Sequence, residues 1–387
     1  MIKTEETLKA LLLYMFFFIL SFTMFNCSEE NGYSYSVPET INDGWETASL
    51  ASVGMDDGSI VDLIQTINNG TIPEIHGIII IKNGLLVFEE YWAGHEYSAW
   101  GENHHGLLLS YDRDRRHNTH SATKSFTSAL VGIAIDHGLI GSIDDPIFDY
   151  LPNNQAQINE SNVNITIEDC LKMASGLEWN EWDVGVNNSQ YDLEIFNNST
   201  TPLSFLLSKP VITEPGTSFY YNGATVDLLG YIVTAASGQS LEDFSSQFLF
   251  SPLGITNYNW SYIRAMTCAH GDIYITPRDM AKFGYLYLNN GQCNGEQIIS
   301  AEWIENSTQN HIDPGVYWAD GYGYLWWLRD FQVNGNSYHS FKAIGWGGQE
   351  IFVFKELNMV VVFTGANYTT DSPCDEMVRD YILPALQ

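Results

Sequence analysis

The chain is poor in basic residues: it has 16 Lys and Arg against 47 Asp and Glu, which gives a formal net charge of −31 over 387 residues. No acidic run reaches five residues, so the charge is spread over the surface and does not form an acidic tail. Such a surface repels phosphates, and no basic patch offsets it. We therefore expect no nucleic-acid partner.

Two common hydrolase signatures are absent as well. The chain has no Gly-x-Ser-x-Gly motif, which argues against an α/β-hydrolase. Its histidines, among them His104, His105 and His117, show no His-Glu-x-x-His pattern, and its cysteines show no metal-ligand spacing. The sequence therefore implies no metal and no organic cofactor.

Cysteine is scarce, with five residues in the chain. If Cys27 is set aside as part of the N-terminal signal, the other four allow three disulfide pairings, and the sequence does not choose between them: Cys170, Cys268, Cys293 and Cys374. Cys170 lies among apolar residues in a predicted helix, which favours a buried free thiol at that position.

Only one long apolar run occurs, and it lies at the N-terminus. Lys3 and Lys9 precede an apolar run over residues 10–25, which is typical of an export signal and shorter than the roughly 20 residues of a membrane-spanning helix. We therefore assign residues 1–27 as a signal peptide and expect an exported protein without a transmembrane domain.

The end of this run favours a lipoprotein signal. Cys27 follows the apolar core directly, as the lipidated cysteine of bacterial lipoproteins does, although Asn26 stands where a small residue is usual. The alternative is an ordinary secretory signal cleaved near Ser28. We expect a periplasmic, outer-membrane or cell-surface protein, and a lipid on Cys27 would be its only attachment to a membrane.

The remaining chain predicts one large domain of the α+β class. Residues 28–50 are polar and read as a tether, and residues 51–387 form the domain. Apolar strand patterns occur near both ends, with a hairpin signal at Asn83-Gly84, and a mainly helical stretch covers about 142–265. This order suggests an antiparallel sheet built from both termini and flanked by helices, with a helical lobe inserted between them.

A serine and a lysine one helical turn apart open the first apolar helix of this domain. Ser121 and Lys124 share a helix face, because residues i and i+3 are neighbours on a helix. A lysine can take the proton of a serine hydroxyl, and a helix N-terminus favours developing negative charge. The spacing alone also fits an ordinary surface pair, so the rest of the chain decides.

Two further segments carry chemistry. A Pro-Gly turn at 215–216 presents a tyrosine just before a helix, where a phenol beside an ammonium could relay a proton. Tyr220 and Tyr221 compete for this role. Downstream, Trp346, Gly347, Gly348 and Gln349 lead into an apolar strand, and glycines there let a backbone approach a ligand closely or form a strand bulge.

Together these segments resemble the three motifs of the class C β-lactamase-like serine hydrolases: Ser121-Ala-Thr-Lys124, Tyr221-Asn-Gly223 and Trp346-Gly-Gly348. The resemblance covers about residues 75–366. It includes further landmarks in the family's order, which are Asp145-Pro146, Leu151-Pro152, the segment 171–177, Pro215-Gly216, Leu229-Gly230 and the segment 276–279. Alignment on the two Gly-containing pairs selects Tyr221 over Tyr220.

The resemblance implies a β-lactamase/transpeptidase-like fold and an acyl-enzyme mechanism. Ser121 would be the nucleophile, with Lys124 and Tyr221 as general base and acid. The backbone N–H groups of Ser121 and Gln349 would hold the oxyanion, and Trp346, Gly347 and Gly348 would bind the substrate.

One departure from the family pattern bears on the substrate. Trp346 stands where β-lactamases carry lysine and many relatives carry histidine, which weakens recognition of a substrate carboxylate. The expected partner is therefore a small-molecule ester or amide. A DD-peptidase or β-lactamase is the alternative enzyme, and a penicillin-binding sensor without turnover is the alternative of another class. The sequence does not reveal the oligomeric state.

Overall fold

The computed structural model describes residues 33–182 and 188–386. Contacts divide the chain into two units, residues 1–35 and residues 36–387. Only the last three residues of the first unit are described, and they belong to no helix or strand. The predicted signal peptide with Cys27 and the first residues of the predicted tether lie outside the described residues.

The described chain contains sixteen strands, most of them short. They are β1 (Ile75–Lys82), β2 (Leu85–Tyr91), β3 (Ala93–Tyr97), β4 (His105–Ser110), β5 (His117–Asn118), β6 (Tyr258–Trp260), β7 (Tyr262–Ile263), β8 (Met266–Thr267), β9 (Ile273–Ile275), β10 (Gln292–Cys293), β11 (Glu296–Gln297), β12 (Gly321–Tyr322), β13 (Trp327–Val333), β14 (Asn336–Gly345), β15 (Gln349–Phe354) and β16 (Met359–Gly365).

The main sheet has seven antiparallel strands in the order β12-β13-β14-β15-β16-β1-β2. The N-terminal hairpin β1–β2, which turns at Asn83-Gly84, pairs through β1 with the C-terminal strand β16, and Ile79 lies opposite Val362. The predicted fold class, an antiparallel sheet built from both ends of the chain with helices packed on it, is confirmed.

Ten α-helices flank or interrupt these strands in the described residues. They are α1 (Asp57–Asn68), α2 (Thr123–Asp136), α3 (Ile167–Leu171), α4 (Asp192–Asn198), α5 (Pro202–Leu207), α6 (Gly223–Ser237), α7 (Leu241–Ser245), α8 (Pro277–Leu288), α9 (Ala301–Ser307) and α10 (Cys374–Met377). Helices α3–α7 lie within the predicted helical stretch 142–265, and β6 and β7 lie near its C-terminal end.

Helix α2 lies in the middle of the molecule and contacts helix α6 on one side and strand β14 on another. All its residues from Thr123 to Ala134 are buried, because protein surrounds the helix on every side. Phe126 stacks on Phe283 of α8 with ring centroids 3.7 Å apart, and α8 in turn covers strands β1, β15 and β16. Helix α2, which begins beside Ser121, is therefore packed against helices α6 and α8 and against strand β14 of the main sheet.

The end of the predicted tether is packed against the body. Residues 46–48 run beside β2, where the Leu86 N–H donates to the Glu46 carbonyl and the Ala48 N–H donates to the Leu86 carbonyl. Trp45 is buried and donates its Nε1–H to the Arg278 carbonyl at 3.3 Å. The tether expectation is therefore wrong for this segment, since its apolar residues and backbone groups find partners on the domain.

Two further features concern membrane-spanning helices and the state of the cysteines. In the described ranges, no helix combines the length and the apolar character needed to cross a membrane. The four cysteines in those ranges are free thiols: Cys170, Cys268, Cys293 and Cys374. Cys170 is fully buried in α3, as the apolar pattern around it predicts.

Truncation of the buried tryptophan tests whether this segment belongs to the fold. We expect Trp45→Ala to lower the free energy of unfolding by about 3–5 kcal/mol, because it opens a cavity against Tyr285 and Arg278. Trp100→Ala is the matched control: this side chain is 90% exposed, so its loss should change stability by less than about 0.5 kcal/mol. Urea unfolding of the two variants measures both effects. Equal unfolding midpoints for Trp45→Ala and Trp100→Ala would indicate that the segment is a tether and not part of the fold.

Candidate active site

Ser121 lies in a short 3-10 turn, His120–Ala122, directly before α2. The turn begins with a left-handed backbone at His120 (φ 45°), whose N–H donates to Asn118 Oδ1 at 2.8 Å. A non-glycine residue in this region stores strain, which persists only where the surroundings hold it. The turn directs Ser121 into a cavity and brings its Oγ to 2.9 Å from Lys124 Nζ.

The ammonium of Lys124 is buried, and each of its three N–H donors has a nearby acceptor. One donates to Ser121 Oγ, a second donates to the His270 carbonyl at 2.7 Å, and the third faces Tyr221, whose ring centroid is 5.0 Å from Nζ. Burial works against the charged form, but the neighbouring Tyr221, Glu181 and Asp227 outweigh it and raise the pKa of Lys124. Lys124 therefore stands in the resting site as an ammonium.

Tyr221 reaches this ammonium from the start of α6. Its neighbour Asn222 caps the helix by accepting the Thr225 N–H at 3.1 Å, which fixes the chain just before the first turn. Tyr221 is partly buried at the cavity, whereas Tyr220 does not line it and is 38% exposed. The structure thus brings together Ser121, Lys124 and Tyr221, and it leaves Tyr220 outside.

A buried carboxylate holds the loop that carries the Lys124 acceptor. Asp227, on α6, accepts the backbone N–H groups of Ala269 and His270 at 2.7 and 3.1 Å, and its second oxygen accepts His270 Nδ1–H at 2.6 Å. Burial opposes the imidazolium of His270, but Asp227 prevails and holds the pKa of His270 well above its ordinary value. The His270 carbonyl is therefore fixed in place for Lys124.

The residues of the third predicted motif, 346–349, do not all lie at the same cavity. A Cβ on Gly345 would lie 2.0 Å from the Thr119 carbonyl oxygen, so the end of β14 packs on the turn before Ser121. Trp346 comes next and lines the cavity. Gly347 and Gly348 have left-handed backbones (φ 85° and 89°) and form the tight turn into β15, on a different cavity.

Gln349 is not brought to the Ser121 cavity. It pairs with Gly345 at the base of the β14–β15 turn, and its buried side chain donates to the Gly365 carbonyl. The apolar strand pattern after the glycines predicted β15, but the first residue of β15 does not line the cavity in front of Ser121. The residue of this segment that faces Ser121 is Trp346.

The cavity in front of Ser121 has a volume of about 500 Å³ and a strongly aromatic wall. Its aromatic lining comes from seven residues: Tyr97, Trp182, Tyr191, Tyr221, Trp318, Trp327 and Trp346. Trp182 stacks on Tyr221, and Trp318 packs on Trp327, with centroids 4.8 and 4.5 Å apart. Apolar surface of this kind favours a ligand with little charge.

Two carboxylates line the cavity, Glu181 and Asp272, beside the imidazoles of His120 and His270. Glu181 is buried and accepts the Trp179 indole N–H and the Gly223 N–H, both at 2.7 Å. Asp272 is partly exposed and accepts Asn118 Nδ2–H at 2.7 Å. No lysine or arginine is among the described residues that line the cavity.

Sequence reasoning did not single out Glu181, Asp227, His270 or Asp272. No motif marks them, because each lies far along the chain from Ser121 and reaches the site only through the packing of α6 and of the loop before β9.

The seven-stranded antiparallel sheet with helices packed on it is the fold that β-lactamases and penicillin-binding proteins share. The chain belongs to the β-lactamase family, whose model matches residues 76–385. Members of this family are hydrolases, among them esterases and amidases.

Three relatives illustrate the range of the family. The 6-aminohexanoate-dimer hydrolase of Paenarthrobacter ureafaciens is 23% identical over 266 residues, which are 64% of this chain and 66% of that protein. The octameric penicillin-binding protein homologue from Pyrococcus abyssi superposes with a TM-score of 0.64 at 20% identity, covering 84% of this chain and 76% of that one. A family VIII carboxylesterase superposes with a TM-score of 0.63 at 17% identity, covering 85% of this chain and 98% of that one. The structural likeness shows the shared fold.

The Asp227–His270 pair makes stability depend on pH. Because the folded pKa of His270 lies above the ordinary 6.5, the pair stabilises the fold fully below about pH 6.5, and this contribution falls as pH rises towards the folded value. The decrease should reach at most about 1.4 kcal/mol per pH unit. Urea unfolding at pH 5 to 9 measures it as the stability difference between wild type and His270→Gln. A difference that stays constant over that range would contradict the charged pair.

Proposed function

We propose that the protein is a serine hydrolase that cleaves an ester or amide bond through an acyl-enzyme on Ser121. The observation that carries this proposal is the 2.9 Å contact between Lys124 Nζ and Ser121 Oγ at the floor of a cavity that Tyr221 also lines. A serine hydroxyl becomes an effective nucleophile when a positioned group takes its proton. This cavity offers such a group within hydrogen-bonding reach.

During the attack, the proton of Ser121 passes to the pair formed by Lys124 and Tyr221. An ammonium that donates to Ser121 Oγ does not take a proton at the same time, so the proton has to be passed on. In our proposal Tyr221 reacts as a phenolate beside this ammonium, with its ring centroid 5.0 Å from Lys124 Nζ. Lys124 Nζ takes the Ser121 proton and passes one of its own to the phenolate oxygen. Tyr221 then returns the proton to the leaving alcohol or amine as general acid.

The oxyanion requires backbone donors beside Ser121. The Ser121 N–H lies at the start of α2, where the helix dipole favours negative charge. For the second donor we infer the Trp346 N–H in place of that of Gln349, because Trp346 lines the cavity. Its N–H has no protein acceptor in the described part of the chain, so it is free to bind an oxygen there.

Hydrolysis of the acyl-enzyme reverses these roles. A water molecule enters the cavity after the leaving group departs and attacks the acyl carbonyl, while the same Tyr221–Lys124 pair takes its proton. The acyl group departs as a carboxylic acid, and the proton returns to Ser121 Oγ. No step in this cycle requires a group from outside the chain other than substrate and water.

The cavity favours a substrate without a carboxylate next to the scissile bond. Glu181 and Asp272 repel a second negative charge, and no lysine or arginine is among the described residues that line the cavity. Trp318 and Trp327 offer apolar surface for an acyl chain or an amine chain. The hydrolase of 6-aminohexanoate dimers and the family VIII carboxylesterase support amide and ester cleavage, respectively.

Removal of the nucleophile tests the mechanism. We expect Ser121→Ala to lower kcat/KM for p-nitrophenyl butyrate by on the order of 10⁴-fold or more, since no acyl-enzyme forms without the hydroxyl. Ser128→Ala is the matched control, because Ser128 is buried on the same helix and does not line the cavity. It should keep wild-type turnover and covalent labelling by a fluorophosphonate. Labelling or turnover retained by Ser121→Ala would place the nucleophile elsewhere.

A pair of esters that differ in one charge tests the substrate class. We expect p-nitrophenyl pentanoate to be hydrolysed with a kcat/KM at least about 10-fold above that of mono-p-nitrophenyl glutarate, because a carboxylate near Glu181 or Asp272 costs about 1.4 kcal/mol or more. Nitrocefin and a D-Ala-D-Ala peptide should be poorer substrates than the neutral ester. Faster turnover of the carboxylate-bearing compounds would favour a β-lactamase or DD-peptidase, and stable acylation by all of them without turnover would favour a sensor.

A further inference from the structure

A cluster of histidine and glutamate side chains lies beside the β3–β4 ribbon, away from the serine. Glu74 precedes β1, His95 belongs to β3 and His105 begins β4, and one ligand atom of each lies within 4.8 Å of the others. Each side chain is partly exposed. A small ion could therefore reach the cluster from solvent.

The hydrogen bonds of this cluster fix which ring nitrogen of each histidine carries a proton. His105 Nε2–H donates to the Ala366 carbonyl at 2.9 Å, which leaves Nδ1 as the lone pair. Metal-bound histidines commonly donate their other ring N–H to a backbone carbonyl in this way. His95 Nδ1 lies 2.8 Å from Glu74 Oε1, and the His95 N–H donates to Glu74 Oε2 at 3.1 Å, so the carboxylate is held against that ring.

A second observation points to a ligand at the same place. His76 is only 1% exposed, and neither of its ring nitrogens has a hydrogen-bond partner in the described residues. Its Nε2 lies 3.9 Å from Glu74 Oε2, too far for a hydrogen bond. A Cβ on Gly94 would lie 2.3 Å from the His76 ring, so glycine there admits the imidazole. Leaving such a buried polar group without a partner costs about 1–3 kcal/mol.

We propose that Glu74, His95 and His105 bind a divalent transition-metal ion such as Zn²⁺, with His76 Nε2 or water completing the coordination. Two imidazoles and one carboxylate suit zinc and its neighbours, whereas magnesium and calcium prefer oxygen ligands. Metal–ligand bonds of about 2.0–2.2 Å draw the three atoms together. The rings of His95 and His105 now lie parallel, 4.6 Å apart, so one of them rotates to direct its lone pair at the ion.

The ion ties the β3–β4 ribbon to the main sheet next to the cavity. Glu74 leads into β1, and the carbonyl that holds His105 belongs to Ala366, directly after β16. Tyr97 on the same ribbon lines the Ser121 cavity and packs on Trp346, with ring centroids 5.6 Å apart. The ion acts by holding this wall of the cavity in place, and it takes no part in bond cleavage.

The other compact cluster of the described residues does not offer such a site. Asp227, Cys268 and His270 are all buried, whereas Glu74, His95 and His105 are partly exposed, and two of the three N–H donors that Asp227 accepts are backbone groups of the loop that carries the Lys124 acceptor. An ion there would have to break the contacts that hold the Lys124 acceptor. This cluster serves as the matched comparison.

Zinc binding to the purified chain tests the proposal. After chelator treatment and removal of the chelator, the protein is titrated with ZnCl₂ in competition with a chromophoric zinc indicator. We expect one tightly bound Zn²⁺ per chain and no comparable binding of Mg²⁺ or Ca²⁺. His95→Gln and His105→Gln should each weaken zinc binding by on the order of 100-fold or more, since each removes a direct ligand. His339→Gln, which alters an exposed pair with Asp330, should bind as wild type does.

A measurement on the unaltered chain keeps the test independent of variant folding. Bound Zn²⁺ should protect His95 and His105 from carbethoxylation by diethyl pyrocarbonate, as read by peptide mass spectrometry, and should leave His339 reactive. Substoichiometric binding, wild-type affinity in His105→Gln, or binding lost instead in Cys268→Ser would each overturn the proposal. The serine mechanism is tested separately by Ser121→Ala, so either hypothesis can fail without the other.

Discussion

The buried ammonium of Lys124 is the constraint around which the site is built. A charge in the interior is tolerated only when its donors are satisfied and its charge is balanced. Ser121 Oγ, the His270 carbonyl and Tyr221 meet the first requirement, and Glu181 with Asp227 meets the second. These partners come from four separate parts of the chain, so the site is complete only when α2, α6 and the loop before β9 are packed together.

This dependence explains why polar residues that never touch a substrate are buried so deeply. Asp227 holds the backbone of Ala269 and His270, and through it the carbonyl that receives Lys124. On the other side, Gly345 lets β14 approach the Thr119 carbonyl, which brings Trp346 to Ser121. The positions of Lys124 and Trp346 relative to Ser121 are thus set by backbone contacts between packed elements, and such contacts can hold the geometry of a site to a fraction of an ångström.

The parts of the molecule predicted from sequence are those whose signals are local. The hairpin at Asn83-Gly84, the helix after Ser121 and the choice of Tyr221 follow from turn chemistry, apolar spacing and family motifs. Long-range contacts have no local sequence signal. Trp45 lies in a polar segment that predicts a tether, yet its indole donates to the Arg278 carbonyl of the domain. The prediction for Gln349 differs from the structure for another reason. Gln349 pairs with Gly345 at the base of the β14–β15 turn, and Trp346, three residues earlier, lines the cavity in front of Ser121.

The chemistry and the selectivity of this site rest on different parts of the fold. Ser121, Lys124 and Tyr221 lie at or just before the starts of the two buried helices α2 and α6, whereas much of the cavity wall comes from loops and from the β3–β4 ribbon outside the main sheet. Loops and edge ribbons change sequence with little cost to the core. Relatives at about 20% identity can therefore keep the fold and differ in substrate. In this chain the cavity wall carries tryptophans and two carboxylates, so the proposed preference for an uncharged substrate rests on the part of the fold that changes most easily.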